Sequence, residues 1–200
     1  VEEILSIGCF RAHPEYFFEW SQKFVYCCQN FEPDVVHKVL AELEKRDLID
    51  ALFTQNIDIL HRKAGSKKCY ELHGSPAHHH CLECGKSASF DEIAPTVMAG
   101  KVPKCECGGI FKPDIVFYGE SLPEGIFELG EETFSRADLV LALGSSLTVY
   151  PAAMLPEIGV THGAKLVIVN AQTTHLDGMA YRVYRDLGKV FGEIAGELGI

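Results

Sequence analysis

The feature that most constrains this chain is the placement of its cysteines. Four of the eight form two tight pairs, Cys81 with Cys84 and Cys105 with Cys107, separated by 20 intervening residues. Around these pairs, from Gly74 to about Lys112, apolar runs disappear and Cys, His, Gly and Pro concentrate. Such a stretch cannot build a hydrophobic core of its own, so it needs a metal or a covalent link to hold it together.

Two thiolate pairs at this separation favour a tetrahedral Zn²⁺, with each pair on its own turn. Gly85, Gly108 and Gly109 follow the pairs and provide the backbone freedom that such turns need. Four thiolates leave no open position for water, so the zinc is expected to be structural. The Cys-x-Cys pair is one residue shorter than the usual second knuckle, and His80 is the alternative ligand if Cys107 does not reach the metal.

The remaining cysteines, Cys9, Cys27, Cys28 and Cys69, are scattered among apolar residues. The N-terminus, VEEILSIGCFRAH, has no basic region ahead of a long apolar stretch and does not resemble a signal peptide. We therefore expect a reducing compartment, the cytoplasm, and a metal site in place of disulfides.

Composition narrows the class of protein. With 200 residues and 47% apolar content, the chain can bury a real core and is most simply one domain with an inserted module. A net charge of −10 argues against binding to a nucleic-acid backbone and is compatible with a partner that carries lysines. No apolar run reaches 18 residues, so no membrane association is expected.

Three short apolar runs predict buried strands at Ile49–Phe53, Ala137–Leu143 and Ala164–Val169. Helical periodicity predicts a helix over Val35–Lys45 and a weaker one over Leu129–Arg136. This alternation predicts an α/β fold, a doubly wound parallel, Rossmann-like sheet with a smaller inserted zinc-binding module. Each strand ends in small or polar residues, which predicts a nucleotide crevice at the carboxyl ends of the strands.

The predicted division has three parts. Residues 1–33 are expected to form a helical segment of a small domain, residues 34–74 with 111–200 the Rossmann-like domain with the predicted nucleotide crevice, and residues 75–110 the zinc-binding module.

Five phrases stand in a fixed order along the chain: TQNIDILH (Thr54 to His61), ELHGS (Glu71 to Ser75), KPDIVFYGE (Lys112 to Glu120), GSSLTVYPAA (Gly144 to Ala153) and IVN (Ile168 to Asn170). Together with the four cysteines they resemble the sirtuin family in its prokaryotic form, over nearly the whole chain. The resemblance implies an NAD-dependent protein-lysine deacetylase that transfers the acyl group of lysine to ADP-ribose and releases nicotinamide. It assigns His73 as the base that deprotonates a ribose hydroxyl, a role that suits imidazole because its ordinary pKa is about 6.5.

The resemblance also assigns the NAD site. Gln55, Asn56, Ile57 and Asp58 match the segment that lines the ribose and nicotinamide pocket, although Asn and Asp also favour turns at strand ends. Small residues after a strand let backbone amides approach phosphate or ribose closely. The remaining assigned positions are Gly144, Ser145, Ser146, Asn170, Ala171, Gln172 and, with a looser match, Leu187.

Two segments match the family's substrate site, in which the acyl-lysine peptide lies as an added strand. The first comprises Val116, Phe117, Tyr118, Gly119 and Glu120, and the second contains Leu147 and Val149. The Val116 carbonyl is the expected acceptor for the acyl-lysine side-chain N–H, and Phe117 is expected to line the lysine tunnel. The implied partners are proteins or peptides that carry acyl-lysine.

The family's N-terminal Gly-Ala-Gly-x-Ser turn and Pro-Asp-Phe-Arg loop do not occur in this sequence. We expect that these residues are disordered or omitted and were not lost in evolution. Because the residues that distinguish deacetylases from desuccinylases lie there, the preferred acyl group stays open. Two alternatives also stay open: a mono-ADP-ribosyltransferase on the same scaffold, and a non-catalytic zinc-ribbon binding module.

Overall fold

A computed structural model of the chain describes residues 2–27 and 30–200, so Cys28 lies outside the described residues. The described helices are α1 (Ile7–Ala12), α2 (Pro14–Phe24), α3 (Val35–Lys45), α4 (Leu60–Lys63), α5 (Phe90–Met98), α6 (Ile126–Ser135), α7 (Met154–Thr161) and α8 (Leu187–Leu198). The strands are β1 (Leu52–Thr54), β2 (Cys69–Glu71), β3 (Gly74–Cys81), β4 (Ser87–Ser89), β5 (Phe111–Ile115), β6 (Leu139–Leu143), β7 (Lys165–Val169) and β8 (Arg182–Tyr184).

These elements group into two compact units. The first unit contains residues 1–32, 54–59 and 73–123, and the second contains residues 33–53, 60–72 and 124–200. The three-part division expected from the sequence stays a prediction.

The first unit is built on an antiparallel sheet of order β4-β3-β5. The long strand β3 pairs with β5, and its register shifts between Ser75 and His79. Helix α5 follows β4 directly because Ser89 and Glu92 form a capping box at its N-terminus.

Aromatic side chains form much of the core of the first unit. Phe10 on α1, Phe17 on α2 and Phe117 after β5 are fully buried, and the Phe117 ring centroid lies 5.1 Å from that of Phe10 and 5.0 Å from that of Phe17. Ring pairs at this spacing add to the free energy gained by burial. The segment after β5 is therefore anchored to the two N-terminal helices.

The second unit contains a parallel sheet of order β6-β7-β8. Leu166 and Ile168 on β7 are fully buried, as expected for a central parallel strand. Helix α7 packs closely because Gly159 lies against β6, where an added Cβ would come within 2.7 Å of Val140 Cγ2. Strands β1 and β2 form a separate two-stranded sheet.

The expected α/β class and the helix over Val35–Lys45 are confirmed. The helix expected over Leu129–Arg136 occurs as Ile126–Ser135, and the three strands occur within one to three residues of their expected positions. The expectation that the three segments are buried strands is met only in part by β6. Leu139 is 52% exposed and Leu141 is 37% exposed, because only the other face of β6, with Val140 and Ala142, faces the core.

No helix in the described part of the chain is both long and apolar enough to cross a membrane.

Candidate active site and zinc centre

The four predicted ligands, Cys81, Cys84, Cys105 and Cys107, come together in the first unit, with their sulfur atoms all within 4.8 Å of one another. The Sγ atoms of Cys81 and Cys107 are 3.5 Å apart, and those of Cys84 and Cys105 are 3.7 Å apart. A tetrahedral Zn²⁺ with Zn–S bonds of about 2.3 Å requires sulfur–sulfur distances of roughly 3.8 Å. The cluster therefore fits structural zinc, and the short Cys-x-Cys pair reaches it.

Tight turns hold each cysteine pair. The Gly85 N–H donates to the Cys81 carbonyl over 2.9 Å, and the Gly108 N–H donates to the Cys105 carbonyl over 2.9 Å. Both glycines have positive φ, 72° and 92°, which is the backbone freedom expected of them. Backbone N–H groups of Cys84 and Glu83 point at the Cys81 sulfur and lower its pKa to about 7, which favours the thiolate that a metal binds.

His80, the alternative ligand, has a different partner. Its Nδ1 lies 2.7 Å from an Asp114 carboxylate oxygen on the neighbouring strand β5. His79 is buried, and its Nε2 lies 2.7 Å from the Tyr26 hydroxyl. The metal cluster of the described residues contains neither histidine.

His73 lies immediately before β3, and a hydrogen bond holds its ring. Nδ1 lies 3.1 Å from the backbone carbonyl oxygen of Gln55, 18 residues earlier in the chain. A carbonyl oxygen only accepts hydrogen bonds, so Nδ1 carries the proton. In the neutral ring Nε2 is then the unprotonated nitrogen, with a lone pair available to accept a proton.

The environment of His73 also favours the neutral ring. Burial lowers the pKa of His73 from its ordinary value, and the bond to the Gln55 carbonyl opposes this shift only in part. A neutral imidazole of fixed tautomer near neutral pH is what a general base requires.

The residue after His73 must be glycine. Gly74 has φ +71°, and an added Cβ would lie only 2.0 Å from the Asp114 carbonyl oxygen on β5. The His73 carbonyl accepts a 2.8 Å hydrogen bond from the Val116 N–H. This close approach of β3 to β5 brings the predicted base and the predicted substrate segment next to each other within the first unit.

The segment Gln55–Asp58 follows β1 and is turned by Thr54, whose hydroxyl accepts the Asn56 N–H over 3.1 Å. Asn56 is exposed, whereas Gln55, Ile57 and Asp58 are partly buried. Ile59, the next residue, has φ +58°. This conformation is strained for a β-branched side chain, and such strain is concentrated at functional sites.

The predicted substrate segment Val116–Glu120 leaves β5 and turns at Gly119, which has φ +91°. Tyr118 is half exposed, and its backbone bonds to Leu5 over 2.8 Å and to Ile7 over 3.1 Å. Phe117 is 1% exposed and belongs to the aromatic core of the first unit. Its expected place in a lysine tunnel stays a prediction.

In the second unit, Gly144, Ser145 and Ser146 follow β6 at the carboxyl edge of the parallel sheet. The Gly144 N–H continues the pairing by donating to the Val169 carbonyl over 2.9 Å. Gly144 has φ +57°, and an added Cβ would lie 3.2 Å from Leu187, which begins α8. Leu187 therefore lies at the same strand end as Gly144. The predicted assignment of both residues to one NAD site requires this proximity.

Asn170, Ala171 and Gln172 follow β7 at the same edge of the sheet, because Leu143 and Val169 are paired. The Asn170 amide donates to the Gln172 carbonyl over 2.9 Å. Arg185 donates to the backbone carbonyls of Asn170 at 3.2 Å and Gln172 at 2.8 Å, and pairs with Asp177. Arg185 thus shapes this segment, although no motif in the sequence drew attention to it.

Leu147 and Val149 lie in the loop after Ser146. Leu147 is buried with φ +55°, its N–H donates to the Ser145 hydroxyl over 3.1 Å, and Val149 is exposed. The predicted site residues thus form two groups, one in each unit, and their roles stay predictions.

The Sir2 family model matches residues 1–151 of the chain. An NAD-dependent protein deacetylase of Thermotoga maritima is 41% identical over 184 residues, which cover 92% of this chain and 75% of the relative. NAD-dependent protein deacylase 2 of Archaeoglobus fulgidus is 38% identical over 204 residues, covering 98% of this chain and 79% of the relative.

Solved structures show the same similarity. A Sir2 protein with a p53 peptide and NAD⁺ has a TM-score of 0.93 and 40% identity, covering 98% of this chain and 82% of that chain. Sir2Tm bound to a propionylated peptide also has a TM-score of 0.93 and 40% identity, covering 98% of this chain and 84% of that chain.

Proposed function

The chain belongs to the Sir2 family, and from that premise we propose that it is an NAD-dependent protein-lysine deacylase with His73 as its general base. The observation that carries the proposal is the 3.1 Å bond from His73 Nδ1–H to the Gln55 carbonyl. This bond leaves Nε2 as the proton acceptor, and burial keeps the ring neutral by lowering its pKa.

Bound NAD supplies the ribose that accepts the acyl group and the nicotinamide that leaves. His73 Nε2 takes the proton from a ribose hydroxyl, which makes that oxygen nucleophilic, and Nδ1 keeps its own proton on the Gln55 carbonyl. The amide and carboxylate groups of Gln55, Asn56 and Asp58 hydrogen-bond the nicotinamide and its ribose. This role is supported by the position of these residues directly after β1, in the segment whose Gln55 carbonyl orients the His73 ring.

The second unit binds the adenine half of NAD. Gly144, Ser145 and Ser146 offer backbone amides and hydroxyls at the end of β6, and Asn170 offers its amide at the end of β7. Adjacent carboxyl ends of parallel strands are the usual place for a nucleotide in such sheets. Ala171, Gln172 and Leu187 complete this part of the site.

The substrate is an acyl-lysine side chain of a protein or peptide. Solved relatives bind p53 and propionylated peptides, which supports this class for the present chain. The Val116 carbonyl accepts the acyl-lysine N–H, and residues 116–120 of the first unit lie alongside the peptide backbone. In the second unit, Leu147 and Val149 are proposed as substrate residues. We also propose a cytoplasmic setting, supported by the thiols of Cys9 and Cys27, which a reducing compartment would preserve.

The test is deacylation of a panel of acyl-lysine peptides with NAD, comparing wild type with His73→Ala. The exposed His78→Ala, on β3 in the same unit, is the matched control. His73→Ala is expected to lose at least about a hundred-fold in kcat, because a positioned base contributes roughly that much or more. Bound zinc and the unfolding midpoint should stay as in wild type.

Mass spectrometry of the products decides between the proposed reaction and the alternatives. Deacylated peptide together with O-acyl-ADP-ribose supports deacylation. A peptide that keeps its acyl group and gains ADP-ribose would support the ADP-ribosyltransferase instead. Full activity of His73→Ala would contradict the assignment of the base.

A further inference from the structure

Lys112 on β5 and Glu120, the last residue of the predicted substrate segment, form a largely buried ion pair. Lys112 Nζ lies 2.8 Å from Glu120 Oε2, and their side chains are only 11% and 27% exposed. Removing two charges from water is costly, and a single hydrophobic pair would often be at least as stable. Stability alone therefore does not explain this pair, and its hydrogen bonds indicate another role.

Among the residues that the structure describes, the other hydrogen bonds of the two side chains go to backbone groups between them. The Lys112 ammonium donates to the carbonyls of Ile115 at 2.8 Å and Pro113 at 3.2 Å. Glu120 Oε2 accepts the Phe117 N–H over 2.8 Å. The ammonium also lies 4.4 Å from the centroid of the Phe117 ring, a favourable cation–π distance.

These bonds hold both peptide planes that flank Val116. In the plane before it, the Ile115 carbonyl is bound by Lys112 and the Val116 N–H by the His73 carbonyl at 2.8 Å. In the plane after it, the Phe117 N–H is bound by Glu120. The fourth group, the Val116 carbonyl, accepts no hydrogen bond from any residue that the structure describes.

A trans peptide is planar, with its C=O and N–H pointing in opposite directions. When Glu120 holds the Phe117 N–H, it therefore directs the Val116 carbonyl away from itself. A carboxylate acceptor is stronger than a neutral one, and its pull on the N–H polarises the carbonyl of the same peptide. The ion pair thus both orients this carbonyl and strengthens it as an acceptor.

We propose that Lys112 and Glu120 are positioning residues for the acyl-lysine substrate, which act by presenting the Val116 carbonyl to the side-chain N–H of the acyl-lysine. This inference rests on the proposed function. Glu120 then acts through Val116, and Lys112 belongs to the substrate site although it contacts no substrate.

The test separates positioning from simple stabilisation by comparing the KM values of the two substrates. Steady-state deacylation is measured for wild type, Glu120→Ala, Glu120→Gln and Lys112→Met. Glu132→Gln is the matched control, because it removes the charge of an exposed glutamate that pairs with Arg136 at 3.3 Å. Peptide affinity is measured in parallel by fluorescence anisotropy, with ADP-ribose as the nucleotide.

Glu120→Ala is expected to raise the KM and the dissociation constant of the peptide about ten-fold, the effect of losing one charge-assisted hydrogen bond, with the KM for NAD nearly unchanged. Glu120→Gln should recover part of this loss, because its amide oxygen still accepts the Phe117 N–H. Glu132→Gln should match wild type.

Unchanged peptide KM in an active Glu120→Ala enzyme would overturn the positioning role alone. Equal increases in the KM values for peptide and NAD would also overturn it, since they indicate general structural damage. If Glu120→Ala does not fold, Glu120→Gln and Lys112→Met decide, and unchanged peptide affinity in both overturns the proposal. A wild-type protein that neither binds nor deacylates the peptide contradicts the proposed function as well.

Discussion

His73 shows how much of a catalytic residue is determined by backbone groups. Its tautomer depends on the Gln55 carbonyl, and its own carbonyl is taken by Val116. Gly74, the next residue, must lack a side chain because the Asp114 carbonyl occupies the place of a Cβ. All three contacts are made to backbone groups, so replacing the side chains of neighbouring residues would not reveal them.

The lowered pKa of His73 predicts the pH dependence of deacylation. Because burial disfavours the imidazolium and lowers the pKa of His73, a larger fraction of its ring is neutral at a given acidic pH than of an ordinary histidine. As pH falls, kcat/KM should therefore decline with a midpoint below about 6.5, the ordinary histidine value. The measurement is the pH profile of kcat/KM with a peptide that has no group titrating near this range. A midpoint at or above the ordinary value would contradict the prediction.

At the scale of elements, the zinc module is held by its metal site and by its attachment to a larger core. Strands β3 and β4 carry a histidine run and small residues, which bury little apolar surface. Gly109 lies so close to the cluster that an added Cβ would be 2.6 Å from the Cys81 sulfur. Ile93 and Val97 on α5 provide the apolar attachment to the core of the first unit.

Removal of one zinc ligand tests this organisation. Cys84→Ser should lose most of the bound zinc, because a serine hydroxyl is a much poorer ligand than a thiolate. The module should then become susceptible to proteolysis between residues 75 and 110, since metal binding contributes to folding. Cys9→Ser, which removes a thiol of α1 outside the cluster, is the control and should keep about one equivalent of zinc. Zinc is measured by atomic absorption, and full zinc content in Cys84→Ser would contradict the assignment.

At the scale of the whole molecule, the predicted site residues are divided between two compact units. The first contains His73, the segment after β1 and the substrate segment, whereas the second contains both nucleotide segments of the parallel sheet. A ligand that contacts either unit stabilises the native protein according to its concentration and affinity.

ADP-ribose should therefore raise the unfolding temperature, by roughly 5 °C when it is present at a hundred times its dissociation constant. Asn170→Ala should reduce this increase, because the amide that is proposed to bind the adenine-side ribose is removed. His175→Ala, an exposed substitution shortly after the same segment, should leave the increase unchanged. Differential scanning calorimetry provides the measurement, and an equal increase in wild type and Asn170→Ala would contradict the role of Asn170.

Much of this molecule could be predicted from local patterns. The helix Val35–Lys45 follows from its apolar periodicity, and the zinc cluster follows from the spacing of four cysteines. The carboxyl ends of strands β6 and β7 could be located from the sequence, because their short apolar runs stop at small or polar residues. The exposure of Leu139 and Leu141 could not be predicted, because the residues of a strand do not show whether other elements pack on both of its faces.

The sequence by itself determined the family, the fold class, the metal ligands and the candidate base, since each depends on residue types at fixed separations along the chain. Only the tertiary structure decided which nitrogen of His73 carries the proton, and that Lys112 and Glu120 hold the peptides around Val116. The Gln55 carbonyl is a backbone group, identical in every residue, so no pattern of side chains can show that it meets a histidine 18 positions away. Such pairings arise when the chain packs, because most buried backbone polar groups bond to whichever partner the fold brings within reach.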